Sequence, residues 1–372
     1  CNHMNLVLFI VDDLRPWLGA YNVSWIHTPH IDALASEGTV FTRAFANQAV
    51  CGPSRTSFLT GRRPDTTQLY DFGSYWRDAS GNFTTLPQYF REHGYETRSV
   101  GKVFHPISAM KKTGHADDVP FSWSAAPYHP PTQKFKDAAV CNNSDSDPTL
   151  SDDGQLHDNI VCPIDDAASQ PGGSLPDMES ATEAIRLLRE ELGPGTKPFL
   201  LACGFHKPHV PLKFPRSYMD AYPSMDSVPL PEAAARVKPE GMPPVAWDTW
   251  DDVRSREDVA ALHVPWPYGP MPTNMTKLVR RAYASAVTYM DAEVGAVLGA
   301  LEEAGLGQST AVVLLGDHGW QLSERGEFAK YSNAEAATHV PLIVRLPQTS
   351  WRATAEGGNE AGAVYSDALV EL

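Results

Sequence analysis

Polar residues stand at the ends of apolar runs along this sequence. Asp12 and Asp13 close NLVLFIVDD (5–13), and Asp317 and His318 close TAVVLLGDHG (310–319). Three carboxylates brought to adjacent strand ends would repel one another unless a cation sat among them. Hard oxygen donors suit Ca2+ or Mg2+, and His318 is the less usual ligand for either. Lys102 and His105 belong to YETRSVGKVFH (95–105), and His206 follows PFLLACGF (198–205). Cys51 stands alone in QAVCGPSRTSFLTGRR (48–63), a Gly/Pro-containing turn in which Ser54 and Arg55 follow it directly. No CxxC accompanies it and no His lies within three residues. A thiol nucleophile would need a His base, which His105, His206 or His318 could supply in space. A structural thiol would want apolar neighbours, which Gly52, Pro53 and Ser54 do not offer. A third reading makes Cys51 the precursor of a modified residue.

The elements that must position these groups follow from periodicity. The continuous apolar runs 5–11 and 310–316 read as buried parallel strands, joined by strands at 95–101, 198–205 and 339–347. TPHIDALASEG (28–38), TLPQYFREHG (85–94), SATEAIRLLREELG (180–193) and the long stretch 277–305 read as helices. In the last, Ala286, Met290 and Val294 share one stripe. Strand and helix alternate, which predicts an α/β sandwich with a central, mostly parallel sheet flanked by helices. Such sheets bind ligands beyond the C-terminal ends of their strands. A single Asp at a strand tip is ordinarily a turn or cap residue. Four polar tips converging on one place carry more weight.

Two regions break the alternation. Residues 107–175 are polar, and 207–278 are rich in Pro and Trp. Both are too long for plain connectors and read as insertions that shape a cleft. Cys141 and Cys162 lie in one polar, loop-like stretch and are paired here as a disulfide. The chain ends in SDALVEL (366–372), which reads as the opening of a helix, so residues 1–372 are expected to be a catalytic domain whose C-terminal subdomain is missing.

The chain has 372 residues and a net charge of −15. That balance argues against a nucleic-acid partner, and it suits a polyanionic substrate only if basic residues gather in a pocket. The longest apolar run is too short to span a bilayer. No secretory leader is recognisable, so the chain is either cytosolic or mature or trimmed. Four Asn-x-Ser/Thr triplets, at Asn22, Asn82, Asn142 and Asn274, together with the cysteine pair, favour the secretory pathway over chance triplets in a cytosolic protein.

The run Cys51-Gly52-Pro53-Ser54-Arg55, then Leu59-Thr60-Gly61-Arg62, resembles the signature of the sulfatase family. The resemblance implies an alkaline-phosphatase-like sandwich. It implies that a formylglycine-generating enzyme oxidises Cys51 to formylglycine, whose hydrated gem-diol attacks the sulfur of a sulfate ester. The alcohol leaves, and the second hydroxyl then expels sulfate from the covalent adduct. Asp12, Asp13 and Asp317 match the family's metal ligands, with residue 51 beside them and Ca2+ as the expected ion. His318 stands where many members have Asn. Arg55 is expected to hold formylglycine, Lys102 and Lys330 to bind sulfate, and His105 to contact the diol. His206 is expected to contact sulfate and protonate the leaving oxygen.

Further stretches, among them GRRPDTTQLYDFGSYWR, SVGKVFHP, FHKPHVP and DHGWQLSERGEFAKYSN, resemble the branch that removes the 2-O-sulfate of terminal iduronate from heparan and dermatan sulfate in lysosomes. On that reading Trp320 and His209 lie near the uronate. Lys102, Lys330, Arg55 and the histidines focus positive potential in one cleft, and acid pH adds charge to the histidines. An extracellular site of action is the alternative to the lysosome. Rival readings are a sulfatase for another sugar or for choline sulfate, a phosphate or phosphonate monoester hydrolase, and a catalytically inactive secreted glycoprotein that binds sulfated glycans.

Overall fold

The computed structural model describes residues 4–105, 116–146, 154–222, 224–347 and 363–372. Parts of the proposed 107–175 insertion, and Cys1, lie outside them. The strands are β1 (Asn5–Val11), β2 (Thr39–Phe45), β3 (Glu96–Gly101), β4 (Val161–Ile164), β5 (Phe199–Phe205), β6 (Leu212–Pro215), β7 (Thr310–Gly316), β8 (Gln321–Leu322), β9 (Phe328–Ala329), β10 (His339–Arg345) and β11 (Val364–Glu371). The helices that matter for the site are α1 (Pro29–Ser36), α2 (Cys51–Thr60), α3 (Leu86–Glu92), α4 (Pro176–Glu190) and α5 (Thr273–Glu303).

Seven strands form the main sheet in the order β11-β2-β10-β7-β1-β5-β3. The β7, β1, β5 and β3 strands run parallel as neighbours, and β10 runs antiparallel to both β2 and β7. β1 is apolar from Leu6 to Val11 because both of its faces are covered. Val7, Phe9 and Val11 join the core that holds α1, α4 and α5, while Leu8 and Ile10 join the core on the opposite face with Leu59 of α2 and Phe90 of α3. Ala286, Met290 and Val294 of α5 are fully buried on one stripe. The mostly parallel α/β sandwich expected from the alternation is therefore present.

Two local expectations are corrected, and one strand was not foreseen. Cys51 opens helix α2 instead of sitting in a turn. Pro53 lies in the first helical turn, where a missing N–H costs nothing, and Gly61 ends the helix in the left-handed region (φ 64°). The terminal SDALVEL forms most of β11, an edge strand parallel to β2, and not a helix. Its Ala, Leu and Glu favour helix locally, but pairing with β2 and the packing of Val370 and Leu372 on the second core override that preference. Strand β2 itself carries no simple alternation and was not expected from the sequence. The Cys141–Cys162 disulfide is present and ties Cys141 to β4, within the polar stretch that contains both.

Candidate active site

The four neighbouring parallel strands end together, so their following residues meet. Asp12 and Asp13 follow β1, Lys102 follows β3, His206 follows β5, and Asp317 and His318 follow β7. The tight junction of β3 with β5 needs glycine. A Cβ on Gly204 would lie 1.9 Å from the Lys102 carbonyl oxygen, and Gly101 adopts φ 72°. The turn after β1 is braced as well. Asp13 holds φ 59°; its N–H donates to Asp317 Oδ1 at 3.0 Å and its carbonyl accepts from Tyr283 Oη at 2.6 Å. Lys330 follows the small β8–β9 hairpin, between Ala329 and Tyr331, which both have positive φ. Left-handed backbone at three non-glycine positions around one site is strain held in place by its surroundings.

Cys51 is the centre of the cluster. Its thiol donates to Asp12 Oδ1 at 3.4 Å, with His318 Nε2 at 3.2 Å and Lys330 Nζ at 3.1 Å from the sulfur. His105 lines the cavity over the cluster, and burial, outweighing the raising effect of Cys51, holds its pKa below the usual value. Lys330 Nζ bonds Asp13 Oδ1 at 2.7 Å, and Lys102 is ion-paired to Asp12. Arg55, one turn after Cys51 on α2, is fully buried. Its Nε meets Asp317 Oδ2 at 2.9 Å, one guanidinium nitrogen lies 3.3 Å from Asp12 Oδ1, and another donates to the Val103 carbonyl at 3.1 Å. Helical spacing thus aims Cys51 and Arg55 at the same carboxylates.

Burial and Asp12 push the Cys51 thiol up, but Lys102, Lys330 and His318 overcome both and hold it well below the usual range. Burial likewise works against Asp12 ionising, and Lys102, His209 and Arg55 outweigh it, leaving Asp12 well below the usual carboxylate value. Asp13 and Asp317 behave differently. Burial, with the charge of Asp12 adding to it, pushes Asp13 up to about 7 and Asp317 up to about 6. Burial disfavours the imidazolium of His318, yet Asp317 raises it to about 9.

Asp12, Cys51, Asp317 and His318 offer ligand atoms that all lie within 4.8 Å of one another, and Asp13, Cys51 and His209 form a second such group. Asp13 Oδ2 is buried without a hydrogen-bond partner. An orphaned carboxylate oxygen among three buried carboxylates is a donor set that fits a divalent cation.

His206 and His209 come from the loop after β5. Asp177, in the first turn of α4, accepts from the His206 backbone N–H at 2.7 Å and lies 3.1 Å from its Nδ1; its other oxygen accepts from the Lys207 N–H at 2.8 Å. His209 Nε2 stands 4.0 Å from Asp13 Oδ2. Trp320 is buried beneath Lys330, whose Nζ lies 5.5 Å from the ring centroid, and it is not among the cleft-lining residues.

A cavity of about 240 Å3 opens over this cluster, lined by Asp12, Lys102, Phe104, His105, His129, Gln133, Lys136, His206 and His209. Its far wall, His129, Gln133 and Lys136, comes from the polar insertion. Sequence reasoning did not single out these three, nor Asp177. HPPTQKFK carries no motif, and an Asp in a first helical turn is ordinarily a cap. The sequon residues Asn22, Asn82, Asn142 and Asn274 are all exposed. Among the described residues no helix is long and apolar enough to cross a membrane.

Comparison with known proteins places this geometry in context. Human iduronate 2-sulfatase is 50% identical over 347 residues, covering 92% of this chain and 60% of that protein. The chain thus spans about three fifths of the length of this curated relative. A phosphonate monoester hydrolase of Agrobacterium radiobacter superposes with a TM-score of 0.68 at 21% identity, covering 93% of this chain and 68% of its own. A structure solved in complex with its substrate D-glucosamine-2-N,6-O-disulfate gives a TM-score of 0.68 at 19% identity, covering 99% and 74%. These two share the alkaline-phosphatase-like fold. The family model described as Sulfatase matches residues 4–362, the span that carries every residue of the cluster around Cys51, and the chain belongs to the sulfatase family.

Proposed function

We propose that this chain carries the catalytic centre of a sulfatase that removes the 2-O-sulfate of iduronate in heparan and dermatan sulfate. The observation that carries the reading is the surround of Cys51. A side chain in a position to attack is flanked by two buried lysines, an arginine, histidines and three carboxylates. The half-identity to a protein named iduronate 2-sulfatase supports the choice of sugar. The cysteine thiol stands where a formylglycine side chain would stand after oxidation by a formylglycine-generating enzyme, and that group would supply a diol oxygen as nucleophile. A bound divalent cation, taken to be Ca2+, would neutralise charge on a sulfate oxygen and on the attacking oxygen.

The chain's own residues do the rest. Lys102 and Lys330 approach the residue-51 position from the β3 and β9 sides and receive the sulfate oxygens between them. Arg55 holds Asp12 and Asp317 in place and keeps the cluster from flying apart. All of these charges are buried, so each acts at a much lower effective dielectric than in water. His206 has its Nδ1 turned to Asp177, so that in the imidazolium form the proton on Nε2 is the one available to the leaving sugar oxygen, with Nδ1–H staying on Asp177. His105 contacts the residue-51 side chain. The exposed sequons and the disulfide support a secreted route with glycosylation at Asn22, Asn82, Asn142 and Asn274, and action in the lysosome.

Mass spectrometry of the tryptic peptide carrying Cys51, from protein made in a secretory host, tests the nucleophile. The expected result is an aldehyde in place of the thiol. Turnover of iduronate 2-sulfate by that preparation, set against other sugar sulfates and choline sulfate, tests the substrate. An unmodified, alkylatable cysteine in protein that nevertheless hydrolyses sulfate esters would overturn the mechanism.

A further inference from the structure

We propose that Gln133 and Lys136 form an anion subsite on the far wall of the catalytic cleft, taking a second anionic group of the sulfated substrate. That group is either the carboxylate of the sulfated sugar or a sulfate on the neighbouring sugar. The inference rests on the sulfatase reading above and adds to it a point of recognition.

The wall is built, not loose. Thr132 donates its backbone N–H and its hydroxyl to Glu179 Oε2 of α4 at 3.1 and 2.7 Å. Lys213 of β6 donates its ammonium to the carbonyls of Lys136 and Ala138 at 3.1 and 3.4 Å. Residues 132–138 are thereby pinned at both ends against the two elements that flank the His206 loop. Gln133 and Lys136 face the same cavity as Lys102, His105 and His206, and a second, smaller cavity continues from it past Gln133, Lys136, His206 and His209. The 240 Å3 over the cluster is the scale of one sugar unit. A sugar whose sulfate sits against Lys102 therefore presents its next anionic group to this wall.

The charges divide the labour. Lys102, Lys330 and Arg55 are all buried and engaged by Asp12, Asp13 and Asp317. His129 is held by Asp117 at 2.8 Å. The Lys136 ammonium meets Asp137 at 3.6 Å, and both side chains are about half exposed. An exposed pair of this kind is worth little, so an incoming anion displaces it at small cost. The Gln133 amide adds a neutral donor beside the charge. Within a chain of net charge −15, a cation at the cleft mouth also favours entry of a polyanion over the general field.

The test is binding in a Cys51→Ala background, which does not depend on turnover. Three probes are compared: an aryl iduronide 2-sulfate with a free carboxylate, its methyl ester, and a disaccharide sulfated also on the adjacent sugar. Lys136→Gln and Gln133→Ala are expected to weaken the probe that carries the recognised anion about three- to tenfold relative to the probe that lacks it, with Lys136→Arg retaining most of the affinity. A loss seen with the acid but not the ester assigns the carboxylate. A loss confined to the disulfated probe assigns the neighbouring sulfate. Equal affinities for parent and variants on every probe, or no binding of any probe, would overturn the subsite. Hydrolysis of aryl sulfate by the protein with residue 51 intact, made in a secretory host, is measured alongside. Its absence speaks against the sulfatase reading separately, whatever the binding shows.

Discussion

Asp177 Oδ1 accepts the backbone N–H of His206 at 2.7 Å and also faces the ring Nδ1 of the same residue at 3.1 Å. One carboxylate oxygen therefore fixes both the main chain and the ring of His206. It keeps a proton on Nδ1, so the proton that the ring takes up and gives away is the one on Nε2, on the cleft side. Burial pulls the His206 pKa down, and Asp177 opposes that pull by stabilising the imidazolium.

Asp177→Asn separates positioning from chemistry. The Asn amide nitrogen cannot accept from the Lys207 N–H, and the charge facing Nδ1 is gone. The kcat for a sugar sulfate is expected to fall about 10- to 100-fold, less than outright loss of a general acid. An aryl sulfate with an acidic phenol needs no protonation and should lose much less. Equal losses on both substrates would show that Asp177 acts only on the fold.

Cys51→Ala is expected to abolish sulfate ester hydrolysis while the protein stays folded. The residue opens α2, where Ala is well tolerated, and the lost sulfur contacts are with charged groups. The thermal midpoint should shift by no more than about 2 °C, the response to roughly 1 kcal/mol in a chain of this size. Residual turnover above background would remove Cys51 from the mechanism.

Asp317→Asn tests the cation site. Asp317 accepts from Arg55 Nε at 2.9 Å and from the backbone N–H groups of Asp13 and His318 at 3.0 and 2.8 Å. The parent protein should gain thermal stability with added Ca2+ and lose it to a chelator, because the ion binds the folded state alone. In the variant the Ca2+-dependent rise should shrink or vanish, with metal content by elemental analysis falling in step. Breaking the buried Arg55 pair adds a metal-independent loss of about 3–5 kcal/mol, visible without any ion. Metal content equal to that of the parent would remove Asp317 from the ligand set.

Asp291 gives a pH signature away from the active site. It sits on α5 and accepts from the backbone N–H groups of His30 and Ile31 at 3.2 and 2.7 Å. Burial pushes it up to about 7 in spite of those bonds. A carboxyl raised above its unfolded value binds its proton more tightly in the folded state, so its contribution is fully present below about pH 4 and is lost as pH rises through 7. Asp291→Asn cannot titrate. The stability of the variant relative to the parent should therefore climb between pH 4 and 8, by at most about 4 kcal/mol. Denaturant melts at four pH values measure it, and a flat difference would show that Asp291 is ionised throughout.

The sequence by itself determined the strands and long helices whose burial is continuous or one-sided. Leu6 to Val11 has no polar face and reads as a buried strand, and α5 carries an apolar stripe through Ala286, Met290 and Val294. It also determined which residues meet. Asp12, Lys102, His206 and Asp317 each follow a strand, and parallel strands in one sheet deliver their C-terminal ends to one edge. The Cys51 to Arg55 spacing was legible because a fixed backbone motif encodes it.

Only the tertiary structure decided the rest, and the reason is range. Cys51 reads as a turn because Gly52 and Pro53 are poor helix formers, yet the packing of α2 against the second core makes it a helix start. SDALVEL has helical residues and becomes a strand because β2 offers an unpaired edge nearly 330 residues away in sequence. Asp177, His129, Gln133 and Lys136 have no local signal at all. Their places at the cleft come from where α4 and the segment around 129–136 lie over the strand ends, and contacts between distant segments leave no mark in the spacing of either one.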